Sequence, residues 1–250
     1  MYRKISILFS ILLLSLTTAF GQTADVISSS YRYHVSFVDK GKTVVDDICQ
    51  LDVSKNQSYF YSLGNEDRKK KITEAFVKAQ QTGTVATLTS KDYKKNIYRY
   101  STIKNYKSKQ VIVSERVSSQ QLAIVQDTLS SKGWMIAKEK KVINNIVCYK
   151  AEIKKGDVIT TAWFTTSIPL QEGPFYYYGL PGLIVSVKNS LGWEAQLENS
   201  NANTNKGKII KIPRYTMVSE KQLDKAKKNA KALAEQGIYS NGDKVEKVKN

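Results

Sequence analysis

Apolar and polar positions alternate along most of this chain with the period of two that places one face of a β-strand in a core. Tyr31, Tyr33, Val35 and Phe37 alternate with Arg32, His34 and Ser36. A turn at Gly41-Lys42 leads into Val44–Val53, where Cys49, Leu51 and Val53 share a face, and Gln57–Leu63 follows with Tyr59 and Tyr61 on one side. Asn96–Ile103 and Lys109–Arg116 continue the pattern, Lys140–Ile153 and Val158–Thr166 form a pair, and Leu183–Lys188, Trp193–Glu198 and Lys208–Ile212 complete it. Short strands joined by tight turns predict an antiparallel meander.

Helical spacing interrupts the strands twice. After Asn65, a candidate N-cap, Ile72, Ala75, Phe76 and Ala79 make an apolar stripe ending at Gly83, and this stripe is expected to face the core. Ser219 with Gln222 forms a capping box for a helix over Glu220–Gln236, where Leu223, Ala226, Ala230 and Leu233 mark a thin apolar face. Gln120–Gly133 is ambiguous between a short helix and extended chain. The class predicted is mainly β (α+β): a curved antiparallel sheet or half-barrel with two or three helices packed against it.

The densest punctuation lies between Trp163 and Val187, which holds three of the four prolines. Ile168-Pro169 ends a strand, because proline has no N–H to give the ladder. Gly173-Pro174 opens a loop containing Phe175-Tyr176-Tyr177-Tyr178. Leu180-Pro181-Gly182 suits a type II turn with positive φ at Gly182. Trp163, Phe175, Tyr176, Tyr177 and Tyr178 are the candidate ligand- or partner-binding residues; Gly179, Leu180, Pro181, Gly182, Leu183 and Ile184 form the structural turn.

The ends change the picture. Met1–Gly21 has a basic start at Arg3 and Lys4, an apolar run and small residues at Ala19 and Gly21, the pattern of a secretory signal peptide. The expected layout is a leader over 1–21, one domain over 22–240 and a flexible tail over 241–250. Export places the protein in the periplasm or outside the cell. The net charge of +17 favours anionic surfaces, and no nucleic-acid motif accompanies it. In an oxidising compartment Cys49 and Cys148, the only cysteines, are expected to form a disulfide worth roughly 4 kcal/mol; buried free thiols are the alternative.

The sequence Gly179-Leu180-Pro181-Gly182-Leu183-Ile184 resembles the signature of the GLPGLI family of secreted or periplasmic bacterial proteins. The Trp163–Pro169 element, Gly173-Pro174, and Cys148 with Lys150 and Ala151 extend the resemblance upstream; Asn145-Ile146 stands where the family often has Gly-Tyr. The family has no established general activity. At the level of fold, a curved sheet over helices is similar to the half-barrel of LolA-like periplasmic lipoprotein carriers.

Catalytic signatures are sparse. His34 is the single histidine, and neither a phosphate loop nor a metal-ligand spacing is present. No cofactor or metal is implied. The sequence reads as a non-catalytic exported binding protein for a lipid, acylated peptide or other amphipathic ligand. The first rival reading is a partner of an outer-membrane transporter or assembly, bound through the aromatic run; the second is an uncharacterised hydrolase.

Overall fold

The computed structural model describes residues 25–86, 94–118, 120–198, 205–235, 238–241 and 244–247. The leader lies outside these residues, and Val85–Leu88, whose apolar and β-branched residues suggest a short strand, lies partly outside them. Strands β1 (Ile27–Asp39), β2 (Lys42–Ser54) and β3 (Gln57–Ser62) precede helix α1 (Leu63–Thr82). Then come β4 (Tyr100–Asn105), β5 (Gln110–Val117), β6 (Gln120–Thr128), β7 (Met135–Ile143), β8 (Ile146–Lys155), β9 (Val158–Thr165), β10 (Leu183–Asn189) and β11 (Trp193–Leu197). Strand β12 (Thr216–Met217), helix α2 (Glu220–Glu235), β13 (Ile238–Asn241) and β14 (Lys244–Lys247) follow.

Twelve strands form one open sheet, ordered β12-β6-β5-β4-β3-β2-β1-β11-β10-β9-β8-β7. It is two antiparallel meanders joined where β1 pairs with β11. Register shifts in the β1–β2, β5–β6, β7–β8 and β9–β10 pairings bend the strands. The bending is strong enough for Lys155, ending β8, to form an ion pair with Asp127 of β6, although eight strands separate them in the sheet. The predicted mainly-β class with a curved sheet and two helices is the observed one, and the sheet does not close into a barrel.

Alternation sorts the side chains as expected. Tyr33, Val35, Leu51, Phe60, Phe164 and Leu197 are buried on the inner face in the main core. The outer face of β3–β6 carries a second cluster, in which Tyr59, Ile103, Ile112 and Ala123 meet Ile210, Ile212 and Tyr215. The chain then passes β12, parallel to β6, and enters α2. Leu223 of α2 packs with Val117 and Leu122, and Lys227 pairs with Glu115.

The structure decides some local expectations and corrects others. Gln120–Thr128 is a strand, because its ladder with β5 outweighs the helical spacing of Leu122, Val125 and Leu129. Lys140–Ile153 is broken by a hairpin turn at Asn144 (φ 50) and Asn145 (φ 63), both in the left-handed region that asparagine tolerates. Lys208–Ile212 makes a single bridge, Ile209 to Val26, in place of a strand. The N-cap of α1 is Ser62, whose Oγ accepts from the Asn65 N–H at 2.8 Å. Helix α1 buries no residue, and Phe76 is 55% exposed, because the helix packs only lightly on β2 and β3. The capping box of α2 forms: Ser219 N–H donates to Gln222 Oε1 at 2.8 Å and Gln222 N–H to Ser219 Oγ at 3.3 Å. Strands β13 and β14 pair as a small hairpin after α2.

Cys49 and Cys148 are free, buried thiols. Strands β1, β11, β10 and β9 lie between β2 and β8, so the two cysteines occupy no neighbouring ladder positions. A disulfide needs Cα atoms within about 7 Å. The expected bond is absent, and burial pushes both thiols up from their ordinary pKa.

Candidate functional site: the segment that fills the half-barrel

Between β9 and β10 the chain crosses the inner face of the sheet. Proline at 169 and 174 and glycine at 173 and 179 keep this segment out of regular structure, so its backbone bonds go elsewhere. Ile184 N–H donates to Glu172 O at 2.8 Å and Leu183 N–H to Ile168 O at 3.0 Å, tying the segment to the start of β10. Phe175, Tyr177 and Leu180 are all buried in the main core.

Phe175 lies at the centre of an aromatic cluster. Its ring centroid is 5.5 Å from Phe60, 5.6 Å from Tyr98, 5.8 Å from Trp193 and 6.2 Å from Tyr177. Its φ of 54° is costly for a bulky residue, and the packing of its ring offsets that cost. Tyr177 hydroxyl lies 3.1 Å from Thr160 Oγ1 on β9.

A buried ionic clasp pins the segment to the sheet. Lys104 on β4 is fully buried and donates from Nζ to Glu172 Oε2 and to Gly173 O, both at 2.7 Å. Tyr106 hydroxyl donates to Glu172 Oε1 at 2.6 Å. Burial pulls the Lys104 ammonium down from its ordinary pKa, against the opposing pull of Glu172. Burial, followed by the Glu172 charge, pushes the Tyr106 hydroxyl up. Both Glu172 oxygens are engaged and the side chain is 1% exposed, so this carboxylate fastens the segment and has no room for a substrate.

The turn that follows differs from the expected type II form. Gly182 N–H donates to Leu180 O at 2.7 Å, which closes a three-residue turn about Pro181. Gly182 has φ 158, and a Cβ there would lie 1.9 Å from Thr165 O. At Gly179, with φ 91, a Cβ would lie 2.5 Å from Ser131 Cα. Close backbone approach demands both glycines.

The sequence-derived binding residues divide among three places. Phe175 and Tyr177 are core. Tyr176 and Tyr178 are half-buried at the mouth of the half-barrel, beside a cavity of about 60 Å³ that Trp134, Lys132, Lys155 and Asp127 also line. Trp134 Nε1 donates to Tyr178 O at 3.0 Å. Trp163 is on the opposite face of β9, where the Lys141 ammonium sits 4.2 Å from its ring centroid. The sequence reading missed Lys104, Glu172, Tyr106 and Trp134. One signal was present: Lys104 follows Tyr100 and Thr102 on the inward side of its strand, an unusual place for a lysine without a partner. Among the described residues, no group of three His, Cys, Asp or Glu side chains is placed to hold a metal, and no helix is long and apolar enough to cross a membrane.

Residues 152–186 match a family model. Its description is "Protein of unknown function (Porph_ging)", of GLPGLI type, and the match runs from the end of β8 through the filling segment into β10. No curated protein matches the chain. Among solved structures the chain is similar to PNGF-II in its C2 crystal form, with TM-score 0.50 and 11% identity over 81% of this chain and 33% of that one. The P21 form of PNGF-II gives TM-score 0.49 and 12% identity, covering 81% of this chain and 34% of that one. The chain therefore spans about a third of the length of the solved chains it matches. At this identity the likeness concerns the fold alone.

Proposed function

We propose that the protein is an exported, non-catalytic binding protein that meets an outer-membrane partner at the mouth of its half-barrel. The observation that supports this reading is the filled lumen. Phe175, Tyr177 and Leu180 occupy the concave face on which a lipid carrier would hold its cargo, and the Lys104–Glu172 clasp fastens them there. The lumen-facing cavity at the mouth, about 60 Å³, is far below the 300 Å³ and more of ordinary ligand pockets. Tyr176, Tyr178 and Trp134 remain as a partly exposed aromatic rim, the residue types that anchor protein interfaces.

The test replaces Tyr176 and Tyr178 with serine and leaves the buried Tyr177 intact. Cross-linking in cells followed by mass spectrometry of the outer-membrane fraction should show loss of a specific partner, with the melting temperature nearly unchanged. A Trp163→Ser control on the opposite face should keep the partner. An unchanged partner set in the double variant rejects the reading. A structure solved after incubation with lipid extract should show no lipid lodged against Phe175 and Tyr177 in the lumen; a lipid bound there in place of the filling segment would instead restore the carrier reading.

A further inference from the structure

A cleft at the other end of β5 from the aromatic rim combines concentrated positive charge with an apolar floor. Its two halves, of about 670 and 520 Å³, share Arg68, Ile97 and Arg99. The first half adds Lys69 and Arg116, and the second adds Lys94 and Lys95 above Phe37, Val44 and Trp193. No carboxylate is among the described residues that line either half; around its edge Lys69 pairs with Glu66 at 2.7 Å and Lys227 with Glu115.

The residue type matters more than the charge total. Lysines coat the surface generally, but the chain has only six arginines, and three of them line this cleft. A guanidinium offers a planar fork that matches two oxygens of a phosphate, whereas an ammonium is a point charge. Arg116 is oriented at the lip by its Nε donating to Ser118 O at 3.2 Å. On the floor, Phe37 and Trp193 stack with centroids 4.5 Å apart, and Val44 is 43% exposed. An arginine-rich wall beside a half-buried aromatic floor fits a ligand that is anionic at one end and apolar at the other.

We propose that this cleft binds an amphiphile bearing a phosphate head group, with the phosphate between Arg99 and Arg116 and the apolar part on Phe37, Val44 and Trp193. The site is separate from the aromatic rim and stands or falls independently of the partner reading.

The experiment uses Trp193 as reporter in a Trp134→Phe/Trp163→Phe background, where it is the one remaining tryptophan. Titration with dihexanoyl phosphatidic acid below its micelle concentration should change Trp193 emission and saturate. Arg99→Ala/Arg116→Ala should weaken binding by about tenfold or more, and Arg99→Lys/Arg116→Lys by less. Lys221→Ala/Lys231→Ala, a control of equal charge loss on α2, should leave the affinity unchanged. Inorganic phosphate should compete only weakly, because it lacks the apolar part. Flotation with phosphatidylglycerol and phosphatidylcholine vesicles separates a bilayer source from a free one: competition between the anionic vesicles and the short-chain ligand assigns the bilayer lipid, and its absence assigns the free amphiphile. Equal weakening in the lysine control, or vesicle binding with no response to the monomeric ligand, would overturn the proposal in favour of a diffuse cationic surface. Equal affinity for inorganic phosphate would overturn its amphiphile part.

Discussion

At Gly182 the constraint is steric. A Cβ would lie 1.9 Å from the Thr165 carbonyl oxygen, which is main chain and has little freedom to move. Gly182→Ala should therefore lose about 3 kcal/mol in urea denaturation, at the upper end of overpacking costs. Gly182→Asn should lose as much, although asparagine tolerates positive φ, because the clash belongs to Cβ. Gly83 is the comparison: it caps α1 at φ 66 with open space around it. Gly83→Ala should cost about 1 kcal/mol and Gly83→Asn less. If alanine is equally mild at both positions, close approach is not what selects glycine in the signature.

Among the elements, the filling segment decides what the half-barrel can hold. Lys104→Met would strand the Glu172 carboxylate with Tyr106 as its remaining side-chain donor, and should cost about 3–5 kcal/mol. Lys104→Met combined with Glu172→Gln should recover most of that loss, because no unpaired charge stays buried. A double variant no more stable than the single one would show that packing, not charge, holds the segment. This element was also the least legible in the sequence. Strands such as β1 announced themselves, since Tyr31, Tyr33 and Val35 alternate with Arg32 and His34 within a few residues. The α2 cap was equally local, in Ser219 and Gln222. The partner of Lys104 lies 68 positions away, and no spacing marks it. Strand β6 stayed ambiguous for the same reason: Leu122 and Val125 have helical spacing, and only the ladder to β5 decides for the strand. The candidate site was legible as a composition of aromatics; which faced inward depended on how the chain crosses the sheet.

Over the whole molecule, one question is whether the twelve strands open together. The two thiols can report on it, as each is buried and protonated at neutral pH, so alkylation requires opening. Cys49 sits on β2 in the interior of the sheet, between β1 and β3, and faces the same core as Phe60. Cys148 sits on β8, one strand in from the edge, where β7 has no neighbour on its outer side and its ladder is interrupted between Ile136 and Lys140. Exposed positions along β7, Met135 at 65% and Val142 at 66%, contribute little burial to hold that edge. Iodoacetamide labelling at pH 8 should therefore be slow at both sites in the native protein, and in rising urea Cys148 should label before Cys49. The order follows from local opening of the β7–β8 hairpin, which Asn144 anchors through its Nδ2 bond to Leu197 O at 2.6 Å. Asn144→Ala should accelerate labelling of Cys148 and leave Cys49 unchanged. Labelling at one common rate, insensitive to Asn144, would mean that the sheet opens as a single unit from edge to edge.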